Sequence, residues 1–295
     1  MFRPVVLAAV VLSAAVLSLA GCETSTAGSA AVAPSTTVTT SPATTSSAPP
    51  PTTTAAPTTT APRTTTKAPT TTVPIAAGHG QVVVLDPGHN GGNASHPAEI
   101  NALVPAGRGQ TKACNTTGTA TNAGYSEHAF TWDVANRVRA DLVAHGYQVV
   151  MTRSNDTGVG PCVNERAAIG NQADAAAVVS IHGDGSDAAG AHGFHVEYSN
   201  PPLNAEQGGP SIGLATALRD SGRAVGFTTA NYIGSNGLFG RADLGGLNLS
   251  DRPTALIECG NMRNSGDAAA MSSASGRQQI ADFVAAGIVA YLSHA

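Results

Sequence analysis

Two histidines and two glutamates stand in this chain where side chains of their type can act together. Val82–Leu85 is a short apolar run that leads through Asp86-Pro87-Gly88 into His89. Ala177–Ile181 leads into His182, and Thr254–Ile257 into Glu258. Glu127 follows Ser126 at the head of a long amphipathic segment. If the three runs are parallel strands, their ends meet at one sheet edge and these distant residues converge. Two imidazoles and one carboxylate match a catalytic zinc site whose fourth position is left to water. Zinc brings the pKa of that water near neutrality. A second carboxylate can then accept the proton and return it to a leaving amine.

Spacing alone leaves the set open, because many α/β domains end strands in polar residues. Glu127 is also the residue type that a helix dipole favours in the first turn, and His128 beside it is a competing ligand. His89 can be a simple turn residue after Pro87-Gly88, and His182 a strand-end histidine satisfied by backbone. Glu258 can be a buried structural carboxylate, although an unpaired one is costly.

The elements that would position these residues follow from apolar periodicity. Val82–Leu85 is a continuous apolar run stopped by a turn, which reads as a buried strand. Phe130, Val134, Val138 and Leu142 recur every four residues between Glu127 and His145, giving one apolar helix face that Gly146 terminates. A strand is expected over Tyr147–Thr152, a helix over Asn164–Ala173, and strands over Ala177–Ile181 and Gly193–Tyr198. A helix over Ser211–Ser221, a strand over Thr254–Ile257 and a helix over Ser275–Tyr291 complete the series. Alternating strands and helices predict a single three-layer α/β domain, a mostly parallel twisted sheet flanked by helices. In such sheets ligands bind beyond the carboxyl ends of the strands.

The local motifs narrow the choice. Val82-Val-Val-Leu-Asp-Pro-Gly-His89 resembles the opening motif of the zinc N-acetylmuramoyl-L-alanine amidases of the amidase type 3 family. The likeness continues through Tyr125-Ser126-Glu127, Thr152-Arg153-Ser154-Asn155-Asp156 and Asn164-Glu165-Arg166. It then runs from Asp174 to Ser180-Ile181-His182 and closes on Arg252-Pro253-Thr254-Ala255-Leu256-Ile257-Glu258-Cys259-Gly260-Asn261. The blocks occur in family order, span essentially the whole folded region, and are most similar to compact actinobacterial members without a separate wall-binding domain. The resemblance implies one zinc ion held by His89, Glu127 and His182, with Glu258 as catalytic acid/base. It implies hydrolysis of the amide between the lactyl group of N-acetylmuramic acid and L-alanine of the stem peptide. Peptidoglycan or its muropeptide fragments would be the substrate. Asn90 and Asn261 depart from the pattern of many family members and bear on substrate contacts rather than on the ligands.

Other residues carry lesser expectations. His195 lies in a predicted strand and is the one remaining histidine that could turn towards the site; His79, His96, His145, His192 and His294 read as loop or surface residues. Asp86 and Asp184 stand near ligands and could orient them. Cys114 and Cys162 lie in Gly/Pro/Thr-rich loop sequence and are expected to pair, since export permits disulfides. Cys259 follows a buried strand and reads as a core thiol. The segment Asn90–Gly124 is a long loop, a kind that tends to be functional or disordered. Arg108 and Lys112 in it are candidates to meet stem-peptide carboxylates.

Composition divides the 295 residues unequally. Hydrophobic residues make up 42 %, yet aromatics only 4 % and charged residues 12 %, so part of the chain is neither core nor charged surface. Residues 1–21 read as a lipoprotein signal peptide, in which Leu19-Ala20-Gly21-Cys22 resembles a lipobox with Cys22 as the lipidated residue. Residues 22–78, rich in Thr, Ser, Pro and Ala, cannot bury enough apolar surface to order themselves and read as a disordered stalk. By the resemblance, residues 79–295 are expected to form the zinc amidase domain. The expected location is outside the cytoplasmic membrane, lipid-anchored and facing the wall, as a monomer. The net charge of -4 argues against nucleic acid as a partner. Two rival functions remain: a zinc peptidase acting within the stem peptide, and a non-catalytic wall-binding or regulatory lipoprotein on the same scaffold.

Overall fold

The computed structural model describes residues 80–294. The signal peptide, Cys22 and the stalk lie outside the described residues. The domain opens with β1 (Val82–Pro87), a 3-10 turn at Asn93–Ser95, α1 (Pro97–Ile100) and the short pair β2 (Leu103–Pro105) and β3 (Thr111–Ala113). There follow α2 (Glu127–Ala144), β4 (Gln148–Met151), α3 (Val163–Gln172), β5 (Ala177–Asp184), β6 (His195–Ser199) and α4 (Gly209–Ala224). The chain ends with β7 (Leu238–Arg241), α5 (Gly245–Asn248), β8 (Thr254–Asn261), α6 (Ser265–Ser272) and α7 (Ala274–Leu292). No helix among these residues is long and apolar enough to cross a membrane.

The main sheet has six strands in the order β4-β1-β5-β8-β6-β7. The first four are mutually parallel, as expected. β6 runs antiparallel to β8 and parallel to β7. Its amino end, not its carboxyl end, therefore reaches the edge where β1, β5 and β8 finish, and His195 pairs with Glu258.

Alternation along the central strands separates core from chemistry, because successive side chains point to opposite faces. Val83 and Leu85, Ala177, Val179 and Ile181, and Ala255, Ile257 and Cys259 enter one large core with α2, α4 and α7. The expected stripe of Phe130, Val134, Val138 and Leu142 supplies the α2 share, fully buried. The other face carries Val84 and Val178, which join Ala175 in a small second cluster flanked by Ile169 of α3. Above that cluster the same face turns polar, with Asp86, Ser180, His182, Asp184, Thr254 and Glu258 lining a cavity.

The long segment after β1 is more structured than its sequence suggested. It contains α1 and the β2–β3 pair, joined antiparallel, and Cys114 at its end is bonded to Cys162 just before α3. The bridge closes a loop of sequence separation 48, which in the chain-entropy account stabilises by at most about 4 kcal/mol. Cys259 is free and buried.

Candidate metal centre

His89 sits just past β1 in a left-handed backbone conformation, φ 58°, which is uncommon for a residue with a side chain. Two buried arginines hold its turn from behind. Arg166 donates to the carbonyls of Pro87 at 2.8 Å and His89 at 2.9 Å. Arg153 donates to the Pro87 carbonyl at 3.0 Å and the His128 carbonyl at 2.8 Å. Asp86 anchors this clamp, accepting from Arg166 at 2.7 Å, Thr152 at 2.6 Å and Ser180 at 2.7 Å. Burial alone would raise the Asp86 carboxyl, but Arg166 and the two hydroxyls outweigh it and lower its pKa to about 2. The motif blocks around Arg153 and Arg166 thus serve the turn rather than the reaction.

Glu127, the first residue of α2, is only 4 % exposed. Its Oε1 lies 3.1 Å from His89 Nε2 and 3.0 Å from His182 Nδ1. Backbone N–H groups complete its partners, Gly183 donating to Oε1 at 3.2 Å and Thr119 to Oε2 at 2.8 Å. Burial works against the charged form, yet the imidazoles, His89 foremost, hold this carboxyl well below the usual carboxylate range. Burial likewise depresses His89, but Glu127 reverses that and raises it. His89 is aimed by its other nitrogen, Nδ1, which lies 3.0 Å from the Thr116 carbonyl. A carbonyl or carboxylate on the far nitrogen is the usual arrangement for a metal-binding histidine.

One ligand atom from each of His89, Glu127 and His182 lies within 4.8 Å of the others. Donors at zinc–ligand distances around a tetrahedron stand roughly 3.3 Å apart, close to the two contacts on Glu127. The donor set and spacing therefore fit zinc. Two glycines make room for it. A Cβ on Gly88 would stand 2.2 Å from the His182 ring, and one on Gly118 would stand 2.7 Å from Glu127 Oε2.

Glu258 is next to His182 across the β5–β8 ladder and lines the same cavity of about 450 Å³. Its Oε2 is buried with no hydrogen-bond partner among the described residues. Burial first, then the charges of Glu127, Glu197 and Asp184, push its pKa well above the ordinary carboxylate value. Asp184 accepts from the Tyr232 hydroxyl at 2.7 Å. His195 is buried opposite Glu258 with Nε2 3.4 Å from Glu197, and Glu197 is further paired with Arg241 at 2.6 Å.

The three strand-end residues and Glu127 at the head of α2 thus come together, and His128 does not join them. It turns to Asp156 at 2.8 Å. Arg108 does not serve the cavity: its guanidinium is taken up by Asn248 at 3.0 Å, Ser199 at 3.1 Å and the Pro201 carbonyl. Lys112 does line the cavity, and its one hydrogen bond goes to the Asp243 carbonyl at 3.2 Å. Sequence reasoning missed Glu197 and Arg241. An antiparallel β6 would have revealed the first; β7, four residues in Gly- and Asn-rich sequence, left no signal for the second.

Residues 83–290 match the family model described as N-acetylmuramoyl-L-alanine amidase. The N-acetylmuramoyl-L-alanine amidase Rv3717 of Mycobacterium tuberculosis is 51 % identical over 214 residues, 72 % of this chain and 87 % of that protein. The crystal structure of the amidase Ami1 from Mycobacterium smegmatis superposes with a TM-score of 0.72 at 51 % identity, covering 74 % of this chain and 100 % of that one. Ami1 from Mycobacterium abscessus gives 0.70 at 54 % identity over 72 % and 99 %.

The Asp86 clamp makes stability depend on acid. A carboxyl with its folded pKa lowered from 3.8 to about 2 adds stability that is fully present above about pH 4 and is lost as pH falls through 2. The shift corresponds to about 2 kcal/mol. Denaturant unfolding at pH 7 and pH 2.5 should show the wild type losing more stability than Asp86→Asn over that interval. Equal losses would mean Asp86 is not the sensitive group.

Proposed function

The chain belongs to the N-acetylmuramoyl-L-alanine amidase family, type 3, and from that premise we propose how its residues cut the bond between muramic acid and L-alanine. The carrying observation is the convergence of His89, Glu127 and His182 beside Glu258 in one cavity. His89, Glu127 and His182 would hold one zinc ion. Bound there, zinc supplies an acidified water and polarises the scissile carbonyl.

The chain's own groups do the rest. Glu258 accepts the proton of the attacking water and delivers it to the nitrogen of L-alanine as the amide breaks. Burial and the neighbouring carboxylates raise its pKa, which makes it a better proton acceptor than an exposed carboxylate. The apolar floor of the cavity, Val178 and Leu256 among its lining, thins the water around these charges and strengthens them. The clamp on the Pro87–His89 turn keeps the imidazole aimed before substrate arrives.

The purified chain should bind about one zinc and release intact stem peptide from a muramoyl-peptide, identified by mass spectrometry. Glu258→Ala should keep its zinc while losing roughly 10²- to 10⁴-fold in rate. Zinc without cleavage would favour the regulatory rival, and internal peptide fragments the peptidase.

Lys112 is assigned to a carboxylate of the stem peptide, on its position in the cavity wall. Lys112→Ala should raise KM roughly two- to fivefold, the scale of one part-exposed ion pair, with kcat little changed. An unaltered KM would remove it from the site.

The leader and Cys22 support export and a lipid anchor on the outer membrane face, with the enzyme monomeric beyond the stalk. Cys22→Ser should move the protein from the membrane fraction to the soluble one. Unchanged partitioning would exclude the anchor.

A further inference from the structure

The flank of α2 carries the chain's single tryptophan. Trp132 stands five residues beyond Glu127, about 7–8 Å along the helix axis. It is half-buried and lines an open groove of about 650 Å³ with Tyr125, Asn136, Asp156 and Gln278. The Arg153 guanidinium lies over its ring, 5.0 Å from the centroid, and the same guanidinium holds the His128 carbonyl. Trp132 is therefore fixed against the outer side of the clamp that sets the His89 turn. Tyr125 is fixed in the same way, with Arg277 5.5 Å from its ring centroid. Asp156 of the groove wall is also paired with His128, the neighbour of Glu127 in sequence.

The groove's chemistry differs from that of the cavity. Three of its charged groups are paired: Arg137 with Asp133, Asp133 also with Arg277 behind it, and Asp156 with Arg153. Arg137 also donates to Gln278 at 2.7 Å. Two aromatic rings among planar amides and paired carboxylates make a rigid surface that needs little ordering to bind. Flat rings present an apolar body to the C–H faces of a pyranose, and the surrounding amides and carboxylates suit its hydroxyl and acetamido groups.

We infer that this groove is a glycan subsite, taking neutral N-acetylated hexosamine residues of the strand that flanks the muramic acid being cut. The inference deepens the proposed function and rests on it. The scissile amide joins an uncharged sugar strand to a peptide that bears carboxylates, so the two halves need different surfaces. The cavity with Lys112 meets the peptide, and the Trp132 groove meets the sugar.

Because Trp132 is the only tryptophan, its emission reports the groove directly. The full chain is titrated with the β-1,4-linked tetramer of N-acetylglucosamine, alongside Ala140→Arg. Ala140 is an exposed helical residue on the groove wall, where arginine is a good helix former and obstructs the groove. The expected result is a saturable change in Trp132 emission, with apparent affinity about tenfold weaker in Ala140→Arg. No change at millimolar sugar, or the same curve for both proteins, overturns the subsite.

A second arm compares kcat/KM on uncrosslinked glycan strands of four or more sugars with that on a muramoyl-dipeptide carrying one sugar. Trp132→Ala should lower the ratio about tenfold, near the upper end of what one aromatic contact contributes, and Trp132→Tyr should restore most of it. An unchanged ratio overturns the subsite. If the wild type releases peptide from neither substrate, the amidase mechanism fails, and the fluorescence titration still decides the subsite on its own.

Discussion

The arrangement depends on one buried carboxylate. Glu127 carries its charge at 4 % exposure, and a bare carboxylate removed from water is strongly disfavoured. It is tolerated because two imidazoles and two backbone N–H groups surround it. Each of those partners imposes a demand elsewhere. The N–H of Gly183 lies in β5, so the strand must continue past His182. The N–H of Thr119 requires the long loop to fold back over the start of α2. His89 must sit in a left-handed turn, and that turn needs the two arginines behind it. Asp86, Arg153 and Arg166 are in this sense an extension of the Glu127 problem into the core, where the two arginines satisfy the carbonyls of Pro87, His89 and His128.

Sheet alternation supplies the second constraint. Each central strand gives its odd-numbered residues to the core with α2, α4 and α7 and its even-numbered residues to the cavity. Asp86, Ser180, His182, Asp184 and Glu258 are thus on one face by parity alone. A shift of one residue in any strand would bury the chemistry in the core and expose valine and isoleucine to the cavity. The fully apolar odd face is what prevents it. Stability and function are therefore written into the same strands at alternating positions.

Much of this was legible in the sequence, and the misses have physical reasons. Strand-end residues were recognisable because parallel strands gather their carboxyl ends, so His89, His182 and Glu258 could be grouped with no structure at hand. The stripe from Phe130 to Leu142 marked α2 because it faces a core along its whole length. Glu197 escaped because its strand runs the other way, and strand direction leaves no trace in the five residues His195–Ser199. Arg241 escaped because β7 is held by its neighbour β6 rather than by its own propensity. Arg108 was misplaced for a different reason: a cation in a long loop looks available until the loop's folding decides its partners, here Asn248, Ser199 and Pro201. Motif blocks were informative in order but silent on role, since Arg153 and Arg166 sit in them as scaffold.

The charges of the cavity would suit a cation between its carboxylates. Asp86 is neutralised by Arg166 and Glu197 by Arg241, and both belong to the walls. Glu127, Glu258 and Asp184 converge with only neutral or shared partners, the two imidazoles and the Tyr232 hydroxyl among them. Burial raises the Glu258 pKa first, and the charge of Glu127, then those of Glu197 and Asp184, add to it. A divalent cation at Glu127 would offset part of that charge and lower the proton affinity of Glu258. Metal affinity and the readiness of the base are then set by the same group of charges, so a change at Asp184 or Glu197 would alter both without touching a ligand.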